Sequence, residues 1–280
     1  MPEDIFGADF LRQLQTLDQA LLRLRGSAGE GIARHGRSHG QHDFRGHRPY
    51  APGDDLRRLD WNAYGRLGKY FLREFERERA EHVTLLVDTS RSMAPGRKHV
   101  LARRAAAAVG YLALARGGTA TLAGGVLLQG QARFSRLIEE LRELEPVQDS
   151  MAPALVALAS RPKAPSDLFV VTDGLDLPES FRPLAALSQR RCQVTLMLVL
   201  APQELEPPTH GSVQLHGLEE RQNLAMELTP ERVMAYQAAL ESHLQSLQAL
   251  ALRNRWTLAV TDSQADLVAL FTEKLAGVLA

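Results

Sequence analysis

Residues 85–93, LLVDTSRSM, carry an apolar run into one carboxylate and two hydroxyls at alternate positions, Asp88, Ser90 and Ser92. In a loop between a strand and a helix, alternate side chains can turn toward one point. Oxygens gathered in that way suit a hard dication such as Mg²⁺, which takes an octahedron of oxygen ligands at about 2.0–2.1 Å and keeps some waters. A second apolar run, FVVTDGLD, ends in Asp173, with Asp176 close behind. The competing reading is that Asp88, Ser90 and Ser92 only cap the next helix and close a turn, which these residue types do readily. Two acid-bearing strand ends in one chain favour the ion.

The surrounding pattern predicts the elements that bring these loops together. From residue 81 onward, short β-branched runs alternate with helical stretches. HVTLLVD is followed by the alanine-rich RKHVLARRAAAAVGYLALARGG, DLFVVTDG by FRPLAALSQRR, and QVTLMLVL by the long TPERVMAYQAALESHLQSLQALALRN. WTLAVTD and DLVALFTEKLAGVL close the series as a last strand and a last helix. Such alternation predicts an α/β fold with a mostly parallel central sheet flanked by helices on both faces. Ligands in such sheets bind at the carboxyl ends of the strands, where both acidic turns fall. TATLAGGVLLQG reads as a strand or hairpin, and GSVQLHGLEERQNLAMEL as a projecting hairpin that offers a second contact surface.

Upstream, leucines at 11, 14, 17, 21, 22 and 24 have the three-and-four spacing of an amphipathic helix over 8–25, ending at Gly26. Residues 26–68 are irregular, with turn signals YAPGDD and RLGK, and YFLREFERERA alternates like a strand with one solvated face. The expected organisation is therefore an N-terminal helix and arginine- and glycine-rich segment over 1–80, packed on a main domain over 81–280.

Composition narrows the function classes. Lysine plus arginine equals aspartate plus glutamate at 33 each, so net charge supplies no global attraction to nucleic acid or membranes. The single cysteine, Cys192, sits in RRCQVTLMLVL, which excludes disulfides and cysteine metal clusters within one chain. The acidic start and the lack of a run of roughly 18 apolar residues predict a cytoplasmic protein with no membrane partner. Catalysis finds little support. No Gly-x-Ser-x-Gly elbow surrounds Ser90 or Ser92, and no glycine-rich phosphate loop follows a strand. A metal-dependent hydrolase would need an activated water with a base such as Asp176 beside it.

Asp88-x-Ser90-x-Ser92 after an apolar strand, with Asp173 ending a later one, resembles the metal-ion-dependent adhesion site of von Willebrand factor A domains. Residues 36–75, GRSHGQHDFRGHRPYAPGDDLRRLDWNAYGRLGKYFLREF, resemble the signature of the bacterial family called domain of unknown function 58. That signature joins a Gly-Asp pair, an arginine and an Asp-Trp ahead of an A-like domain. The resemblance implies a non-enzymatic, metal-dependent protein-interaction module that holds Mg²⁺ or Mn²⁺ and takes an exposed acidic residue of a partner. It also implies a partnership with a MoxR-type AAA+ ATPase in chaperone-like maturation or complex assembly. Asp88, Ser90, Ser92 and Asp173 match the site's loops. Where such sites usually place a threonine this chain has VQDSMAPAL, so Ser150 is the implied ligand, with Asp149 as the substitute. TATLAGGVLLQG departs from the family in being glycine-rich.

The segment 34–73 holds nine Arg or Lys against four Asp, and His35, His39, His42 and His47 besides. With Phe44, Tyr50, Trp61 and Tyr64 interleaved it could bind nucleic acid by phosphate contact and base stacking, but no nucleic-acid fold accompanies it. The histidine spacing is too irregular for zinc. The favoured reading is structural. Arg45, Tyr50, Gly53, Asp54, Arg57, Asp60, Trp61 and Arg66 are signature positions, with the arginines paired to Asp54, Asp55 and Asp60 and Trp61 filling a pocket.

Overall fold

A computed structural model describes residues 4–28, 43–49, 71–76, 82–176, 178–216 and 223–275. The chain forms two compact units, one of the residues up to Ala28 together with those from His82 onward, the other of 29–81. In the smaller unit, β1 (Asp43–Pro49) pairs antiparallel with β2 (Phe71–Glu76), and the register slips between Phe44 and Gly46. The alternation at 71–77 thus marks a strand. Tyr50, Gly53, Asp54, Asp55, Arg57, Asp60, Trp61 and Arg66 lie outside the described residues, and Arg45 is placed only as a backbone position of β1.

The larger unit is built on a six-stranded sheet of order β10–β7–β6–β3–β4–β5. Its strands are β3 (His82–Val87), β4 (Thr119–Leu122), β5 (Leu128–Gln129), β6 (Asp167–Thr172), β7 (Gln193–Leu200) and β10 (Thr257–Asp262). All neighbouring pairs are parallel except β4 and β5, which form the antiparallel edge that TATLAGGVLLQG foreshadows. From β3 the chain builds outward through β4 and β5, then returns to lay β6 on the other side of β3. The direction of winding therefore reverses between β3 and β6, the place where sheets of this kind form their ligand crevice, at the carboxyl ends of the strands.

Both faces of the sheet are covered, so strand residues are apolar on either side of the pleat. Leu85, Val87, Phe169, Val171, Met197 and Val199 enter one core with α2 (Lys98–Ala115) and α3 (Phe134–Arg142). Leu86, Leu168, Val170, Val194, Leu196 and Leu198 enter the other with α4 (Ala152–Ala159) and α5 (Arg182–Gln189). In α2, Ala102 and Ala105 to Ala108 are fully buried, and their small side chains let the helix lie close to the sheet.

The first helix, α1 (Ala8–Ala28), belongs to the larger unit and runs past Gly26. Its buried stripe is Phe10, Leu14, Leu17 and Leu21, while Leu11, Leu22 and Leu24 face out. The leucine spacing locates the helix, but its phase is set by Phe10. After β7, the short α6 (Pro202–Leu205) leads to the antiparallel hairpin β8 (Gly211–His216) and β9 (Asn223–Leu228), whose tip lies outside the described residues. Thr229 then caps α7 (Pro230–Asn254), its hydroxyl accepting from the Arg232 amide. The last helix is shorter than its sequence suggests. Asp266 caps α8 (Leu267–Ala269), and Leu270–Lys274 continue as a π-helical turn in which Thr272 Oγ1 donates to the carbonyls of Val268 and Ala269.

Candidate metal centre

The two strands beside the crevice each end in a buried carboxylate, Asp88 after β3 and Asp173 after β6. Asp88 begins its loop still bound to the sheet, its amide donating to Val171 O at 2.8 Å. Its Oδ1 accepts the Ser90 amide at 2.7 Å and its Oδ2 accepts the Thr172 hydroxyl at 2.5 Å. Among the described residues only neutral donors hold it. Burial pushes its carboxyl above the ordinary range, the bonds from Thr172 and Ser90 pull it back, and the neighbouring charge of Asp173 adds to the rise.

The same turn brings Ser90 Oγ within 2.9 Å of Ser92 Oγ. Neighbouring oxygens around an octahedral Mg²⁺ with bonds of about 2.0–2.1 Å lie about 2.9 Å apart, so the two hydroxyls already stand at the separation of adjacent ligands. With the Asp88 carboxylate below them, this donor set fits a hard dication. Among the described residues no three His, Cys, Asp or Glu side chains gather as a metal-ligating group. Any site here thus draws on hydroxyls as well as carboxylates.

The middle loop is strapped alongside the first. Gln148 accepts from the Arg91 amide at 2.8 Å and donates to Thr89 O at 2.9 Å, a parallel bridge that puts Asp149 and Ser150 beside Ser90. Asp149 turns outward to Arg91 at 3.0 Å and is largely exposed. Ser150 Oγ donates to Asp176 Oδ2 at 3.1 Å and accepts the Ala152 amide at 3.0 Å, while the Met151 amide also reaches Asp176 at 3.3 Å. Thus Asp176 ties the third loop to the middle one, and the Ser150 hydroxyl is turned toward it.

Asp173 is held differently. Its Oδ1 accepts the Leu175 amide at 3.2 Å, and its Oδ2 accepts Lys98 Nζ at 2.9 Å. Gly174 follows with φ of +70°, where a side chain would be strained, and an added Cβ would lie 2.8 Å from Leu198 Cδ2. The loop is closed by the Gly174 amide donating to Thr172 Oγ1 at 3.0 Å and by His243 Nε2 of α7 donating to Gly174 O at 2.6 Å.

Lys98 and Glu204 were not singled out in the sequence. Lys98 is the first residue of α2 and has no exposed surface. A cation at a helix amino terminus is opposed by the helix dipole, and a buried one by desolvation. Two carboxylates offset that, Asp173 and, at 2.5 Å, Glu204 Oε1. Glu204 lies in α6, its Oε2 accepts the Ala201 amide at 2.6 Å, and its carbonyl accepts the Tyr236 hydroxyl at 2.9 Å. Only the Glu204 part left a trace in sequence: in APQE the glutamate stands three residues after the helix-capping position, where it can reach back to that amide.

The fold and these loops define an α/β domain with two acidic loops at the carboxyl edge of a mostly parallel sheet. The chain belongs to the family described as "Protein of unknown function DUF58", whose profile matches residues 46–246. An uncharacterised Mycobacterium tuberculosis protein, Rv1480, is 32% identical over 197 residues, which are 61% of this chain and 59% of that one. The match therefore spans less than two thirds of the relative's length. Among solved structures, the conserved hypothetical protein BatB from Bacteroides thetaiotaomicron aligns over 70% of this chain and 98% of its own at 12% identity and a TM-score of 0.45. A von Willebrand factor type A structure from Catenulispora acidiphila aligns over 71% and 42% at 15% identity and a TM-score of 0.44. Among the described residues no helix is long and apolar enough to cross a membrane.

Proposed function

We propose that the chain is a non-enzymatic protein-interaction module whose contact runs through a divalent ion, Mg²⁺ or Mn²⁺, at the carboxyl edge of the sheet. The observation that carries this reading is the pair of Ser90 and Ser92 hydroxyls, 2.9 Å apart, beside a buried carboxylate at the point where the winding reverses. When bound, the ion supplies a Lewis-acidic position for a carboxylate oxygen from outside the chain. The chain's own residues set that position. Asp88 supplies charge, Ser90 and Ser92 neutral oxygens, Asp173 a second charge from the adjacent strand end, and Ser150 a hydroxyl from the strapped middle loop.

The partner is a protein that presents an exposed aspartate or glutamate. The family resemblance makes a MoxR-type AAA+ ATPase the first candidate, in chaperone-like maturation or complex assembly, and a cytoplasmic setting accompanies it. The test is a pull-down of that ATPase with and without EDTA, together with an Asp and Glu to Ala series on the captured protein. Chelation should abolish the complex, and one position of the series should reproduce the loss. Capture at full strength in EDTA refutes the metal-bridged reading.

A further inference from the structure

We infer that Glu204 is the charge-setting residue of the metal centre: by holding Lys98 it cancels the lysine's charge, so that the cluster of Asp88, Asp173, Lys98 and Glu204 keeps the two negative charges of its expected ligands for a dication. The inference rests on the metal-binding reading above and adds to it two residues, neither of them an expected ligand.

Lys98 Nζ stands between Asp173 Oδ2 at 2.9 Å and Glu204 Oε1 at 2.5 Å, and the ammonium is sealed from water. Three carboxylates, Asp88, Asp173 and Glu204, contribute minus three and Lys98 plus one, which leaves minus two. Were Lys98 alone beside Asp173, it would cancel one of the two expected anionic ligands and repel an incoming dication across a short, poorly screened distance. Glu204 removes that conflict. It makes the shorter contact with the ammonium, is fixed through its second oxygen by the Ala201 amide, and stays tied to α7 through Tyr236. The lysine is then an internal bridge: it ties the Asp173 loop to α2 and α6 while its charge is balanced by a carboxylate that is no ligand. Asp149 and Arg91 form a separate neutral pair at the rim, and the Asp176 carboxylate on Ser150 lies outside the four-group sum and is altered by none of the variants below.

Glu204 is a positioning residue, so the test must separate charge from structure. Mn²⁺ affinity is measured by calorimetry on the full chain for the parent, Glu204→Gln, Lys98→Met and the double variant. Glu204→Gln keeps an acceptor for the Ala201 amide but takes the cluster to minus one, and its affinity should fall tenfold or more. Lys98→Met takes the cluster to minus three and should bind more tightly than the parent, with melting temperature more dependent on Mn²⁺. Combining the two restores minus two, and affinity should return to within about threefold of the parent. A merely structural role gives the opposite pattern, with the double variant no better than either single one.

Parent-like binding by Glu204→Gln, or a double variant as weak as Glu204→Gln, overturns the inference while the metal reading stands. A parent that binds no Mn²⁺ overturns both. If Glu204→Gln does not fold, Lys98→Met against the double variant carries the test, and equal affinities for those two refute charge setting.

Discussion

The two ends of the parallel strands bury ionisable groups in contrasting company. At the carboxyl edge, Asp88, Asp173, Lys98 and Glu204 come together as charges, and one of them, Asp88, is held by neutral donors alone. At the amino edge, His82 at the start of β3 lies between hydroxyls, its Nδ1 2.9 Å from Thr119 Oγ1. Next to it along the edge stands Asp167 at the start of β6, whose carboxyl burial pushes up, and one strand further Cys192 just before β7, whose thiol burial pushes up to about 12. Burial at the amino edge favours the uncharged forms of His82, Asp167 and Cys192. The carboxyl edge keeps charge that the protein itself does not neutralise. The carboxyl edge should answer to divalent ions, and His82 at the amino edge to protons without them.

The largest effect expected from this contrast falls on stability in EDTA. Asp173→Asn takes one of two charged acceptors from the buried Lys98 and leaves it paired with Glu204, so it should cost about 1.5–3 kcal/mol, the worth of a hydrogen bond to a charged group. Asp88→Asn removes a buried charge that has no cationic partner while keeping an acceptor for Thr172, so its metal-free form should melt at or above the parent temperature. Denaturant unfolding of both variants in EDTA checks the pair, and equal destabilisation breaks the distinction drawn between the loops. In the presence of metal the order changes. Asp88→Asn should lose divalent affinity by about 100-fold, roughly 2.7 kcal/mol, and calorimetry that returns parent-like Mg²⁺ or Mn²⁺ binding in the folded variant removes Asp88 from the site.

The two edges were not equally legible in sequence. Asp88, Ser90 and Ser92 could be read because one short loop carries all three, and Asp173 because an apolar strand runs straight into it. Lys98 was hidden. It stands 75 residues from Asp173 and 106 from Glu204, and a lysine heading an alanine-rich helix resembles any solvated helix start. Thr172 was masked in the same way, since a threonine in a β-branched strand reads as filler until its hydroxyl is seen on Asp88. The order of elements and the parallel sheet followed from periodicity, because strands covered on both faces are continuous apolar runs. Helix phase did not: Leu11, Leu22 and Leu24 fit the spacing in α1 yet face outward, because Phe10 fills the position against the domain. At the amino edge nothing in the isolated letters of His82, Thr119 and Asp167 joins them, since only the register of β3 with β4 and β6 does.

A smaller effect belongs to the middle loop. The Ser150 hydroxyl bonds the Asp176 carboxylate and the head of α4, so Ser150→Ala loses a hydrogen bond to a charged group worth about 1.5–3 kcal/mol of stability, and with one neutral ligand gone metal-dependent capture of the partner should weaken roughly fivefold, about 1 kcal/mol. That is far less than for Asp88→Asn, because a neutral hydroxyl contributes less than a charge. Titration of the immobilised partner ranks the two. A Ser150→Ala loss as large as that of Asp88→Asn would place the hydroxyl, rather than the carboxylate, at the centre of the site.

The smallest effect tests the amino edge through its pH dependence. Burial and the charge of Lys163 lower the His82 pKa below its ordinary 6.5, against the opposing pull of Asp167. The unfolded chain therefore takes up this proton more readily than the folded one. The contribution of His82 to stability is full above about pH 6.5 and is lost as pH falls from there toward the folded value. His82→Gln keeps a donor and an acceptor beside Thr119 and removes the proton site, so its unfolding free energy should decline less steeply than the parent's between about pH 7 and 5. The experiment is run in EDTA, which keeps metal from the carboxyl edge, and again with saturating Mn²⁺; the Asp88 carboxyl is common to parent and variant and drops out of their difference. The difference in slope between variant and parent should be the same in both, because His82 and the proposed metal ligands lie at opposite ends of the strands. A slope difference that appears only in metal would show that the two edges are coupled through the sheet, and an unchanged slope in both would remove His82 as the group that titrates.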